Sequence, residues 1–319
     1  MLQRQATFYT MPLIRGKMSE RERILELKKE KNAVILAHNY QRPEVQDIAD
    51  FVGDSLGLSK EASKVEADVI VFCGVDFMAE SAKILNPQKI VVHPEPKAKC
   101  PMAAMCEVEE LIDLKRKHPS AKVVGYVNTT AACKTEMDIC CTSSNAVKVV
   151  GALPEKEIIF VPDENLGKYV QRFVKDKNII LWPGFCPTHD SITPDQVKKA
   201  KEMHPDAVVI VHPECRPEVI DLADAVKSTE GMVKFVKASS TREFIIVTEK
   251  ELIYRLKKEN PEKTFYSIPG AVCPTMKMIT LSSVLRALEN LEPRVELDEE
   301  TLRKARSPLE RMMEIGRGD

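Results

Sequence analysis

Short apolar runs recur along this chain, each closed by a turn-forming or small polar residue. AVILAH from Ala33, KVVGYV from Lys122 and AVVIVH from Ala207 are β-branched and almost continuously apolar. Such runs mark strands covered on both faces, as in parallel sheets. After the first and third come Pro43 and Pro217, suited to the first turn of a helix. Val45, Ile48, Ala49 and Val52 then share one helical face, as do Val219, Leu222, Ala223 and Val226. A helix through each segment is predicted, ending at the hydroxyl stretches GDS from Gly53, CTSS from Cys141 and KST from Lys227.

A second set of strand-like runs follows as VIVFCG from Val69, EIIFVP from Glu157 and EFIIVT from Glu243. A third set closes each unit: KIVVHPEPKAKCPM, NIILWPGFCPTH and TFYSIPGAVCPTM. The likeness extends to identity, since residues 33–52 and 207–226 agree at 11 of 20 positions. These copies lie 174 residues apart, and a more diverged copy begins near the midpoint, at Ala121. That period is too long for a solenoid. The fold predicted is α/β: a triplicated three-layer α/β/α sandwich with parallel sheets, its three units packed around a pseudo-threefold axis. The units are assigned to residues 24–118, 119–204 and 205–290, with a C-terminal helical tail over 291–319.

Charge narrows the function. Forty-seven basic side chains face forty-eight acidic ones, so no net field draws the chain to nucleic acid or to an anionic membrane. Neither partner is expected. The opening MLQRQATFYTMPLIRGKMSERER has no apolar run of secretory length, and no later stretch nears the roughly 18 apolar residues of a membrane span. A cytoplasmic location is expected. Nine cysteines, an odd number with no CxxC pair, then point to thiol chemistry or metal binding and away from a disulfide framework.

Three of the nine stand at the corresponding place in every unit, each followed by proline: Cys100, Cys186 and Cys273, spaced 86 and 87 residues apart. Ligands of open parallel sheets gather beyond the carboxyl ends of the strands. Three units around one axis would bring the three thiols together there. A single cysteine is more often a buried small hydrophobe, but three in register are a ligand set. Thiolates select zinc or iron-sulfur clusters, and closed zinc sites use close ligand pairs that are lacking here. Three cysteines on a 4Fe-4S cluster would leave one iron open to act as a Lewis acid.

Polar residues occupy the matching ends of the first strands: His38-Asn39-Tyr40, Tyr126-Val127-Asn128 and His212-Pro213-Glu214. Histidine and glutamate are natural acid-base groups, and buried tyrosine donates a proton or a hydrogen bond. His38, Tyr40, Tyr126, His212 and Glu214 are therefore the catalytic candidates, with Glu214 as proton shuttle. The hydroxyl loops at Ser55, Ser143-Ser144 and Ser228-Thr229 suit anion binding, the alternative being plain helix capping. Lys134 is a candidate cation beside the second loop. Cys73, Cys106, Cys133, Cys140, Cys141 and Cys215 lack repeat partners and are assigned to packing.

These strings resemble a known family, the quinolinate synthases. The resemblance runs from about Ile24 to Met313 through LAHNYQRPEVQDIADFVGDSLGL, GVDFMAESAKILNP, CPMA, YVNTTAACK, CTSSNA, PDENLG, HPEC and AVCPTMK. It implies a 4Fe-4S cluster on Cys100, Cys186 and Cys273. It implies a condensation of iminoaspartate with dihydroxyacetone phosphate to quinolinate, with loss of phosphate and two waters. An aspartate oxidase or dehydrogenase would supply the iminoaspartate. His38, Tyr40, Ser55, Tyr126, Asn128, Ser143, His212, Glu214, Ser228 and Thr229 are implied to line the pocket. Ala132 and the stretch VTEKEL from Val247 depart from the family pattern. The other classes weighed are a redox or iron-sensing protein that houses a cluster, which has no need for three anion loops beside acid-base groups, and, more distantly, a zinc hydrolase.

Overall fold

The computed structural model describes residues 18–319, so the opening residues judged for a targeting segment lie largely outside the described part. Its strands form three four-stranded sheets. The first holds β1 (Ala33–His38), β2 (Phe51–Gly53), β3 (Val69–Cys73) and β4 (Ile90–Val92). The second holds β5 (Lys122–Tyr126), β6 (Ile139–Cys141), β7 (Glu157–Val161) and β8 (Asn178–Leu181). The third holds β9 (Val208–Val211), β10 (Ala225–Val226), β11 (Glu243–Val247) and β12 (Thr264–Ser267). Every pairing is parallel, and each sheet has the same order: second, first, third, fourth strand. The fold is α/β with three repeated units.

The helices of the first unit are α1 (Glu20–Glu30), α2 (Pro43–Gln46), α3 (Ser55–Lys64) and α4 (Asp76–Leu85). Next come α5 (Val108–Lys117), α6 (Ala131–Lys134), α7 (Ala146–Ala152) and α8 (Glu164–Gln171). Then follow α9 (Pro187–Asp190), α10 (Pro194–Met203), α11 (Pro217–Ile220), α12 (Thr229–Ala238) and α13 (Leu252–Glu259). Two more, α14 (Leu281–Asn290) and α15 (Glu299–Ile315), complete the chain.

One expectation fails in all three units. The long helix predicted after the first strand is a single turn, α2, α6 or α11, and the chain then returns as an edge strand that pattern alone did not reveal. An aspartate causes this return. Asp50 accepts the Ile35 amide through Oδ2 at 2.8 Å and donates its own amide to the Ile35 carbonyl at 2.9 Å. Asp138 does the same to Val123, and Asp224 to Val209. The two bonds turn the chain onto the central strand, and β2, β6 and β10 continue from there.

Alternation along the strands sorts their side chains between two faces. Ile35, Ala37, Val69 and Val71 pack with Ile24 and Leu27 of α1 and with Val284 and Leu288 of α14. Leu36, Ile70 and Phe72 point the other way, into a core shared by all three units. In the third sheet Val209, Val211, Ile245 and Val247 meet Val197 of α10 and Val219 of α11. Ile210, Phe244 and Ile246 face inward to the shared core. At about 1.5–3 kcal/mol per fully buried aliphatic or phenyl side chain, this common core binds the units into one body. Helix α14, last in the third unit by sequence, thus covers the first sheet. Helix α15 buries Ala305, Leu309 and Met312 and packs against β6, α4 and α6.

Candidate active site

The carboxyl ends of the three sheets open onto one cavity of about 120 Å³. His38 ends β1, Tyr126 ends β5, and His212 follows β9, so equivalent strand ends deliver equivalent positions. Cys100, Cys186 and Cys273 all border this cavity, each half-buried and each with a free thiol. Tyr40, Ser55, Asn128, Ser143, Glu214 and Thr229 line it as well.

Glu214 sits at the centre, 3% exposed. One carboxylate oxygen accepts the Tyr126 hydroxyl; the other lies 2.7 Å from His189 Nδ1 and 4.0 Å from His212 Nδ1. Burial opposes its ionisation, but the imidazoles of His189 and His212 and the hydrogen bonds from His189 and Tyr126 outweigh it. The carboxyl is held below the usual range. Burial pushes His38 down to about 4 and His212 to about 3, so both imidazoles are neutral near pH 7. It raises the tyrosine hydroxyls of Tyr40 and Tyr126, with the Glu214 charge adding to the effect. The Glu214 carboxylate therefore stands among the neutral imidazoles of His38 and His212 and the protonated phenols of Tyr40 and Tyr126, and Asp54, paired with Arg317, lines the same cavity.

His189 escaped the sequence reading. Its Nδ1 is also 3.1 Å from Cys186 Sγ, and its Nε2 is 2.8 Å from the Thr248 hydroxyl, which in turn bonds the Tyr40 hydroxyl at 2.6 Å. Its ring stacks on His212 at 4.5 Å. No repeat partner pointed to it: the residues three beyond Cys100 and Cys273 are Ala103 and Met276. Cys186, His189 and Glu214 bring one ligand atom each within 4.8 Å of one another, close enough to share a metal ion.

Two predicted contributors stand elsewhere. Ser228 caps α12, accepting the Gly231 amide at 3.1 Å, and borders an adjoining hollow instead of the main cavity. Lys134 is fully buried; its ammonium donates to the Thr129 carbonyl and lies 5.4 Å over the Phe77 ring. Burial lowers its pKa, and it does not line the cavity. Asn128 does line it, and its Oδ1 is buried without a hydrogen-bond partner. Burial also pushes the Cys100 thiol up to about 12 and raises Cys186, so a bound cation would be needed to hold them as thiolates.

A triplicated parallel α/β fold whose strand ends share a thiol-bordered, acid-base cavity belongs to an enzyme. Residues 22–314 match the family model described as quinolinate synthetase A protein, and the chain belongs to that family. It is 56% identical to a quinolinate synthase of Thermodesulfovibrio yellowstonii over 92% of this chain and 97% of that protein. Quinolinate synthases of Methanoregula boonei and Geobacter sp. are each 54% identical over the same shares.

Proposed function

We propose that this chain condenses iminoaspartate with dihydroxyacetone phosphate to quinolinate, releasing phosphate and two waters, on a 4Fe-4S cluster held by Cys100, Cys186 and Cys273. The observation that carries this reading is the meeting of these three thiols, one from each of the units 24–118, 119–204 and 205–290, at one cavity. The donor set fits the cluster. The thiols are soft, free of disulfides and supplied by three separate loops. When bound, the cluster supplies an iron with no protein ligand, a Lewis acid for oxygen.

The chain's own groups do the rest. Helices α3 and α12 begin at Ser55 and Thr229, and Ser143 lies just before α7; amides and hydroxyls there suit the phosphate of the triose. Ser228 orders the third of these loops through its cap. Asn128 Oδ1 accepts a hydrogen bond from substrate. Glu214 Oε2 takes protons from carbon, while the hydroxyls of Tyr126 and Tyr40 and the neutral imidazoles of His38 and His212 donate hydrogen bonds to carboxylate and leaving oxygens. Iminoaspartate comes from an aspartate-oxidising enzyme, an oxidase or a dehydrogenase, and the reaction takes place in the cytoplasm. Among the described residues no helix is long and apolar enough to cross a membrane.

A single metal ion on Cys186, His189 and Glu214 is the second reading, favoured by their mutual closeness. Anaerobic purification followed by iron, sulfide and zinc analysis separates the two. About four irons and four sulfides per chain, with quinolinate formed from the two substrates, are expected. One zinc with no sulfide would overturn the cluster.

A further inference from the structure

Each cavity cysteine is held from the loop that follows the third strand of its unit, by two contacts in the first and third units and by one in the second. In the first unit the Asp76 amide donates to the Ala98 carbonyl at 3.0 Å, and the Cys100 amide donates to Asp76 Oδ1 at 3.0 Å. In the third, the Lys250 amide donates to the Ala271 carbonyl at 2.9 Å, and the Cys273 amide to Glu249 Oε1 at 3.3 Å. In the second, the Glu164 amide donates to the Gly184 carbonyl at 2.7 Å, while Asp163 Oδ1 accepts the Leu166 amide at 2.8 Å and burial raises the carboxyl's pKa. The accepting carbonyl lies two residues before the cysteine every time. Asp163 leaves Oδ2 buried without a partner and spends Oδ1 on Leu166, so the second loop is held through its Gly184 carbonyl. Gly184 belongs to the device: a Cβ there would strike the Pro162 carbonyl.

We propose that Asp76 and Glu249 are positioning residues, carboxylates that clasp the Cys100 and Cys273 loops by accepting the cysteine's own amide. The proposal rests on the cluster reading above. Its consequence is electronic as well as geometric. An amide that donates to a thiolate sulfur draws off negative charge and makes a cluster easier to reduce. An amide bonded to a carboxylate cannot do so. The clasp therefore fixes where the two thiolates stand and keeps the cysteine's own amide from drawing on a sulfur. Glu249 is itself anchored, 2.8 Å from Lys277 and bonded to the Glu251 amide at 2.9 Å. Asp76 has no such ion pair among the described residues, which makes its loop the cleanest to test.

The test compares Asp76→Ala with Asp76→Asn in reconstituted protein, following iron release to a chelator, the midpoint potential and the thermal unfolding of the cluster-free protein. Asp76→Ala is expected to release iron about tenfold faster or more, in the range for outer-shell partners of a metal site, and to move the potential to more positive values. Asp76→Asn keeps an oxygen acceptor and is expected to return most of both effects, with both variants unfolding near the unsubstituted protein. Equal shifts in Ala and Asn would show an effect of charge alone and overturn the clasp; so would unchanged release and potential in Ala. If Asp76→Ala does not fold, Glu249→Ala against Glu249→Gln decides in the same way. An unsubstituted protein that takes up no cluster sinks the cluster reading and the clasp with it, whereas a normal cluster indifferent to both pairs sinks the clasp alone.

Discussion

Glu214 Oε2 lies 2.7 Å from Nδ1 of His189, a residue of the second unit, while its other oxygen accepts the hydroxyl of Tyr126 from the same unit. Nε2 of the same ring lies 2.8 Å from the Thr248 hydroxyl, so the imidazole is fixed from both sides. The carboxylate is thus held ionised, oriented by two donors, and still borders the cavity.

Replacing Glu214 by glutamine keeps the size and the hydrogen bond from Tyr126 but removes the ability to take up a proton. A loss of roughly 100-fold or more in rate is expected, as for other general acid-base groups, with the cluster retained. Single-turnover quinolinate formation at matched iron content measures it. A rate within a few-fold of the unsubstituted enzyme would relieve Glu214 of the proton-transfer role.

Substituting serine at Cys100, Cys186 or Cys273 is expected to abolish cluster binding, because a hydroxyl is a hard and poor ligand for iron. Cys73→Ser and Cys106→Ser should leave it intact. Cys73 is enclosed within β3, and Cys106 neighbours Cys133, whose thiol donates to the Cys106 carbonyl at 2.9 Å. Iron analysis and the charge-transfer absorption of the five variants decide the assignment.

Stability should fall as the pH falls. His38 and His212 are depressed by burial to about 4 and about 3 in the folded protein. In the unfolded chain each takes a proton near pH 6.5, so the unfolded state gains protons first as acid is added. The stability that rests on their neutral forms is complete above pH 6.5 and is lost from there down through the folded values. For each, about 2 kcal/mol should vanish between pH 7 and pH 5. Urea unfolding of the cluster-free protein at the two pH values tests this, and His38→Gln should remove about half of the slope.

Much of this architecture could be read from the residues, because repetition exposes what one copy hides. The strand ends, the hydroxyl loops and the three Cys-Pro elements stood out by recurring at the same register. The edge strands β2, β6 and β10 did not. Two or three residues are too few to show a period of two, and Val45, Ile48, Ala49 and Val52 fit helical spacing by coincidence. The signal that would have exposed them is the aspartate before each, at 50, 138 and 224. His189 was hidden by the filter that revealed the cysteines, since only the second unit places a histidine after Cys-Pro. Lys134 shows a different limit: its local sequence resembles a surface turn, and only the packing of α4 and α15 against α6 buries it.

The last expectation concerns Asn128 and the cost of an unpaired group. Its Oδ1 is buried at the cavity with no partner, a condition worth about 1–3 kcal/mol of lost solvation. Such an oxygen is poised for a donor on the substrate, either the imine nitrogen of iminoaspartate or a hydroxyl of the triose. Binding would then relieve a penalty already present in the free enzyme. Asn128→Ala removes the penalty and the contact together. The variant should unfold no more easily than the unsubstituted protein, raise KM for one substrate about tenfold, and keep kcat within about threefold, since the contact serves ground state and transition state alike. Steady-state kinetics with each substrate varied in turn identifies which of the two donates. An unchanged KM for both, or a fall in kcat as large as the rise in KM, would exclude a binding role for this oxygen.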